Sequence, residues 1–105
     1  MADVMMLYVT CTDQDEAMKI ARALVDERLA ACANILAPHT AVYRWQGEVE
    51  SGPETAMLVK TSSDKTAQAT ERIKRLHSYD LPCVVAWPVA DGNPDFLTWV
   101  QGEVA

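Results

Sequence analysis

The stretch RLHSYDLPCVVAWPV, residues 75–89, holds His77 and Cys83 on either side of a turn-like SYDLP segment, and a third soft side chain, Cys11, ends an apolar run near the N-terminus. Two thiols and an imidazole make a donor set suited to Cu(I), Cu(II) or Zn(II). The acidic residues Asp13, Asp15 and Glu16 follow Cys11 directly. Structural zinc sites normally carry paired local spacings such as CxxC, and the three cysteines, Cys11, Cys32 and Cys83, form none. The same residues also have a plain structural reading. Cys11 and Cys83 can be small buried hydrophobes, Asp13 a helix cap, and His77 a helix C-terminal residue facing the dipole. Residue chemistry alone leaves both open.

A second grouping is Tyr43, Trp45, Lys60 and Tyr79, which could line a cleft. Lys60 then either supplies a cation or lays its stem along apolar surface. Trp87 and Trp99 suit core or interface anchors, and His39 beside Pro38 reads as loop. No nucleophile triad, P-loop or GxGxxG fingerprint is present. Ser62 and Ser63 have no adjacent base and read as caps. The expected protein is therefore not an enzyme.

The elements that must position these residues follow from periodicity. VMMLYVTC, residues 4–11, predicts a strand. Asp13 and Glu16 form a capping box for a helix whose apolar positions Ala17, Ile20, Ala21, Leu24 and Val25 run to about Leu29. Residues 31–45 predict a second, long strand interrupted at Pro38-His39, and Gly47 marks a turn. A third strand is broken by SGPE and resumes at 55–61. Ser62 or Ser63 caps a second helix carrying Ala69, Ile73 and Leu76. LPCVVAWPV, residues 81–89, is a fourth strand, with Pro82 suited to its start. Asn93 and Pro94 open a last helix as N-cap and N1.

The order β-α-β-β-α-β-α predicts an α+β fold, a ferredoxin-like βαββαβ sandwich with an extra C-terminal helix. At 105 residues the chain is expected to be one domain, 1–105. In this topology the end of the first strand lies beside the start of the fourth, and the second helix delivers His77 to the same rim. Cys11, His77 and Cys83 are thus expected to converge there.

One face of such a sheet should be wet and polar. Here Met5, Leu7 and Val9 oppose Met6 and Tyr8, and Val84 and Ala86 oppose Val85 and Trp87. Strands apolar on both faces need cover on both, and the chain has too few helices to supply it. Cover by another subunit is therefore expected. The net charge of −6 argues against nucleic acid and against an anionic membrane surface. The N-terminal MADVMMLYVTC has neither a positive n-region nor a run long enough for a signal peptide or a membrane span. Unpaired cysteines suit a reducing, cytoplasmic setting.

Five segments together resemble the CutA divalent-cation tolerance proteins: ARALVDERLAACANIL, VYRWQGEVE, AMLVKTS, LHSYDLPCVVAWPV and GNPDFLTWV. They cover nearly the whole chain in order. The resemblance implies a ferredoxin-like fold, a compact homotrimer and a role in tolerance to copper and other divalent metals, with Cu(II), Cu(I) or Zn as ions to consider. It implies metal ligation by Cys11 and by His77, the histidine of an HPY-type motif. Ser78 replaces the proline of that motif, Leu76 stands where some members have a second histidine, and Cys83 takes a position that is often Glu. Cys83 could then restore a third ligand. The competing function is a trimeric ligand-sensing or scaffold module, analogous to PII-type signalling trimers, with an inter-subunit cleft at Tyr43, Trp45, Lys60 and Tyr79. A hydrolase of acylphosphatase type needs a phosphate cradle after the first strand, and the acidic TDQDE there would repel phosphate.

Overall fold

A computed structural model describes residues 2–105. Strand β1, Val4–Cys11, alternates as its sequence requires: Leu7, Val9 and Cys11 are fully buried on one face, while Met6 and Tyr8 are half-buried on the other. Helix α1, Gln14–Asp26, starts at Asp13, whose carboxylate accepts the Glu16 N–H at 2.9 Å. Glu16 closes the box one residue early, accepting from Thr12 N–H at 3.0 Å. Ala17, Ile20, Ala21 and Leu24 then pack onto the buried sheet face. The helix stops at Asp26 rather than Leu29 because the chain turns there. Arg28 takes a left-handed φ of 58° and Leu29 N–H returns to the Leu24 carbonyl at 2.9 Å, the pattern of a Schellman ending.

The expected interruption at Pro38 divides the second strand into β2, Cys32–Ile35, and β3, His39–Trp45. Gln46 and Gly47 both have positive φ, 51° and 85°, as a two-residue type I′ hairpin requires. Strand β4, Glu48–Ser62, runs 15 residues without the break expected at SGPE. Gly52 and Pro53 lie beyond the last β1 pairing, Cys11 with Thr55, where β4 has only β3 as a partner. A residue without an N–H is tolerated at such a one-sided stretch.

Helix α2, Thr66–Leu76, is capped by Lys65 without a side-chain bond. Ser62 belongs to β4 and its hydroxyl bonds the Asp64 carboxylate, so neither serine is the N-cap. Strand β5, Val84–Pro88, is shorter than expected. Helix α3, Pro94–Glu103, begins as read, with Asn93 accepting from Asp95 N–H at 3.1 Å.

The sheet is antiparallel in the order β2-β4-β1-β5, with β3 paired to the first half of β4. This is the split βαβ order, extended by the β3–β4 hairpin. A twisted 15-residue strand spans roughly 45 Å, and the molecule is elongated accordingly, 44 × 25 × 23 Å. α1 and α2 cover the inner sheet face over Leu7, Val9, Met57 and Val59. α3 covers only the Val4 end of the outer face, through Val100 and Val104. Beyond it the outer face stays open: Val85 is 53% and Trp87 44% exposed. Both Trp87 and Trp99 thus lie outside the core.

Candidate metal centre

Cys11 is the last residue of β1 and falls on the inner face, roofed by the start of α1. Burial, followed by the nearby carboxylates Glu16, Glu54 and Asp13, pushes its thiol up to about 12. It is a protonated thiol at neutral pH, and an ion must displace that proton to bind.

Glu16 stands in the first turn of α1 because Asp13 caps that turn. Its Oε1 accepts from Thr12 N–H at 3.0 Å and its Oε2 from Ser78 N–H at 2.9 Å. Partial burial would raise its pKa, but the Thr12 and Ser78 hydrogen bonds and the His77 ring together outweigh it, leaving the carboxyl below its ordinary value. Glu16 is therefore held as a carboxylate.

His77 is where α2 ends: its backbone turns extended, with ψ 143°, and its N–H closes the helix on the Ile73 carbonyl. Its fully buried ring enters the gap between β1 and α1. Nε2 lies 2.8 Å from the Thr10 carbonyl and Nδ1 lies 3.7 Å from Glu16 Oε1.

Donor atoms of Cys11, Glu16 and His77 all lie within 4.8 Å of one another. Donors on one tetrahedral ion at about 2.0–2.3 Å would sit roughly 3.3–3.6 Å apart. The set needs only to draw in by an amount that side-chain rotation can supply. A thiolate, an imidazole and a carboxylate suit Zn(II) or Cu(II), so the residues fit a divalent ion.

Of the residues the sequence placed at this rim, Cys11 and His77 come together and Cys83 does not join them. Val84 pairs with Val9 on the inner face, so Cys83, one residue earlier, turns to the other side with Thr10. It is exposed there and lines a cleft of about 680 Å³ between the β3–β4 hairpin and the 79–83 turn. Tyr43, Trp45 and Tyr79 line the same cleft, as do Glu50, Glu54 and Asp80, with Arg44 beside them. Lys60 is not among the lining residues. It sits six residues from Glu54 along β4, about 20 Å away, and its ammonium bonds Asn34 on β2.

Two residues were missed as site candidates. Glu16 read as a capping residue, and its second role shows only once Ser78 and His77 are brought beside it. Glu54 fell in a segment expected to break the strand. It accepts the Tyr79 hydroxyl at 3.0 Å, and His39, which opens β3, stands 3.7 Å from its other oxygen. Burial, followed by the bond to Glu54, pushes the Tyr79 phenol up to about 12.

Among the described residues, the fold and this cluster define a small α+β protein with an antiparallel five-stranded sheet, three helices and a thiol–imidazole–carboxylate set at one sheet rim. The family described as CutA1 divalent ion tolerance protein matches residues 5–103. The chain belongs to this family. It is 45% identical over 95 residues to the divalent-cation tolerance protein CutA of Thermus thermophilus, covering 90% of this chain and 92% of that one. It is 42% identical to the mouse Protein CutA, covering 90% of this chain but 53% of that protein, so it spans about half of that relative's length. The solved structure of the periplasmic divalent cation tolerance protein CutA from Archaeoglobus fulgidus superposes with a TM-score of 0.94 at 38% identity, covering 97% of this chain and 99% of that one. Among the described residues no helix is long and apolar enough to cross a membrane.

Proposed function

We propose that this protein acts in divalent-cation tolerance by binding an ion, Zn(II) or copper, at Cys11, Glu16 and His77, as a non-enzymatic homotrimer. The observation that carries the reading is the convergence of three chemically different donors from β1, α1 and the end of α2 within 4.8 Å. Its relatives are named for divalent-cation tolerance, which supports that part of the reading. Glu16 takes the third ligand place that sequence reasoning gave to Cys83. The protein's part would be to hold Glu16 ionised, to fix the His77 ring and to keep the thiol shielded from water until an ion displaces its proton. The ion itself would supply the positive charge that the three donors share. Three unpaired cysteines fit a reducing compartment such as the cytoplasm.

The trimer reading is supported by the open outer face, where Val85 and Trp87 are exposed and Met6, Tyr8 and Leu58 only half-buried among the described residues. The exposed hairpin residues Val42 and Val49 extend the same need. Light scattering should show a trimer at micromolar concentration; a stably folded monomer there would refute the assembly.

Isothermal titration with Zn(II) and Cu(II) tests the site. Binding should be lost in Cys11→Ala, Glu16→Gln and His77→Ala and retained in Cys83→Ser. Unchanged binding in the first three removes this rim as the site.

The second reading, a small-molecule module, is favoured by the aromatic cleft. Within one chain the cleft lining does not include Lys60, and its carboxylates outnumber Arg44. A ligand there would be cationic, seated against Tyr43 and Trp45.

A further inference from the structure

The two ring nitrogens of His77 are both engaged, and their partners fix the tautomer. A carbonyl can only accept, so Nε2, 2.8 Å from the Thr10 carbonyl, carries the proton. An amide N–H can only donate, so Nδ1, 3.1 Å from the Tyr79 nitrogen, is bare. Nδ1 is also the nitrogen turned towards Glu16. The lone pair that an ion needs is therefore the one the Tyr79 amide already uses. One lone pair cannot serve both, because an ion at about 2.0–2.1 Å from Nδ1 takes the place of the amide hydrogen.

Tyr79 is held at its other end as well. Its hydroxyl donates to Glu54 Oε2 at 3.0 Å, and Glu54 is fixed on β4 where that strand pairs with β3 at His39. Between the two ends, the Tyr79 ring lies against the imidazole with centroids 4.7 Å apart. One residue is tied by its backbone to the inner rim and by its hydroxyl to the outer cleft.

We propose that Tyr79 is a positioning residue that opposes ion binding at the rim and couples the rim to the cleft. An ion on His77 Nδ1 displaces the Tyr79 amide, and the displacement is passed through the ring to the Glu54 bond and the cleft wall. The inference rests on the rim being the ion site.

The test is Tyr79→Phe, which keeps the amide and the ring and removes only the hydroxyl. With its outer tether gone, the amide yields more easily, and Zn(II) should bind about three- to tenfold more tightly, the scale of one hydrogen bond's net contribution. Diamagnetic Zn(II) also allows NMR on the intact protein. In wild type, Zn(II) should shift the His77 ring, the Tyr79 amide and the Trp45 indole in the cleft. In Tyr79→Phe, and separately in Glu54→Leu, which has no acceptor for the hydroxyl, the His77 response should persist and the Trp45 response should vanish. Equal Zn(II) affinity in wild type and Tyr79→Phe overturns the proposal. So does a Tyr79 amide that stays put in wild type while the His77 ring responds, a result that needs no variant to fold. If the His77 ring itself does not respond, the rim reading fails, and the coupling fails with it.

Discussion

Thr10 and Cys11 are neighbours in sequence, yet they belong to two different sites. Cys11 turns inward to Glu16 and His77, into a cluster with no exposed donor on the thiol or the imidazole. Thr10 turns outward to Cys83, Tyr43, Trp45 and Tyr79, into an open acidic cleft. The difference is one step of strand alternation. It separates a dry site, where a thiol stays protonated until an ion takes its place, from a wet one, where an exposed thiol stands among aromatic rings and carboxylates. Tyr79 belongs to both, by its amide on one side and its hydroxyl on the other.

The comparison breaks most visibly if the two cysteines prove interchangeable. Cys11→Ala should weaken Zn(II) binding more than about 100-fold, beyond the 10–100-fold typical of losing a ligand's hydrogen-bond partner. Cys83→Ser should leave affinity within about twofold, both read by calorimetric titration. The two sheet faces should differ as well. Leu7→Ala, on the inner face, should cost about 3 kcal/mol or more by urea unfolding at any protein concentration. Val85→Ser, on the outer face, should act through assembly, so light scattering should show it dissociating at a protein concentration where wild type stays assembled.

Next in size is the pH dependence of binding. Because the Cys11 thiol lies near 12, each ion bound below that pH releases its proton, which contributes about tenfold tighter binding per pH unit. Cys11→Ser should flatten that dependence in titrations between pH 6 and 8. The smallest effect is in acid. Glu16 has a folded pKa below its ordinary 4.5, so its stabilisation is complete above that value and is lost as pH falls through the folded pKa. Glu16→Gln should therefore have a shallower acid limb in urea midpoint against pH, and a limb unchanged from wild type would refute the role given to its Thr12 and Ser78 bonds.

Much of this arrangement was legible in the residues. The alternation of Leu7, Val9 and Cys11, the Asp13 cap, the Pro38 interruption and the Asn93–Pro94 start each state a local rule that the structure obeys. The element order then placed His77 at the end of β1. What escaped depends on information from elsewhere in the chain. Pro53 reads as a strand breaker unless one knows that β1 has already ended at Cys11, leaving β4 paired on one side. Ser62 reads as a cap unless β4 is known to run through it. The side to which Cys83 turns depends on the phase of a strand that begins after a proline-containing turn, and a one-residue error in phase reverses it. Lys60 lies on the same strand as the cleft, and only the length of β4 shows how far away it is. Glu16 already had a sufficient local role, and its second came from Ser78 and His77, more than 60 residues later in the chain.

Ion binding at the rim is tested most directly by a crystal structure of the protein soaked with Zn(II), with the ion located by its anomalous scattering. One ion should be bonded to Cys11 Sγ, Glu16 Oε1 and His77 Nδ1, with the Tyr79 amide moved off the imidazole. An ion found instead on Cys83 in the cleft, with Cys11 still a buried thiol, would contradict it.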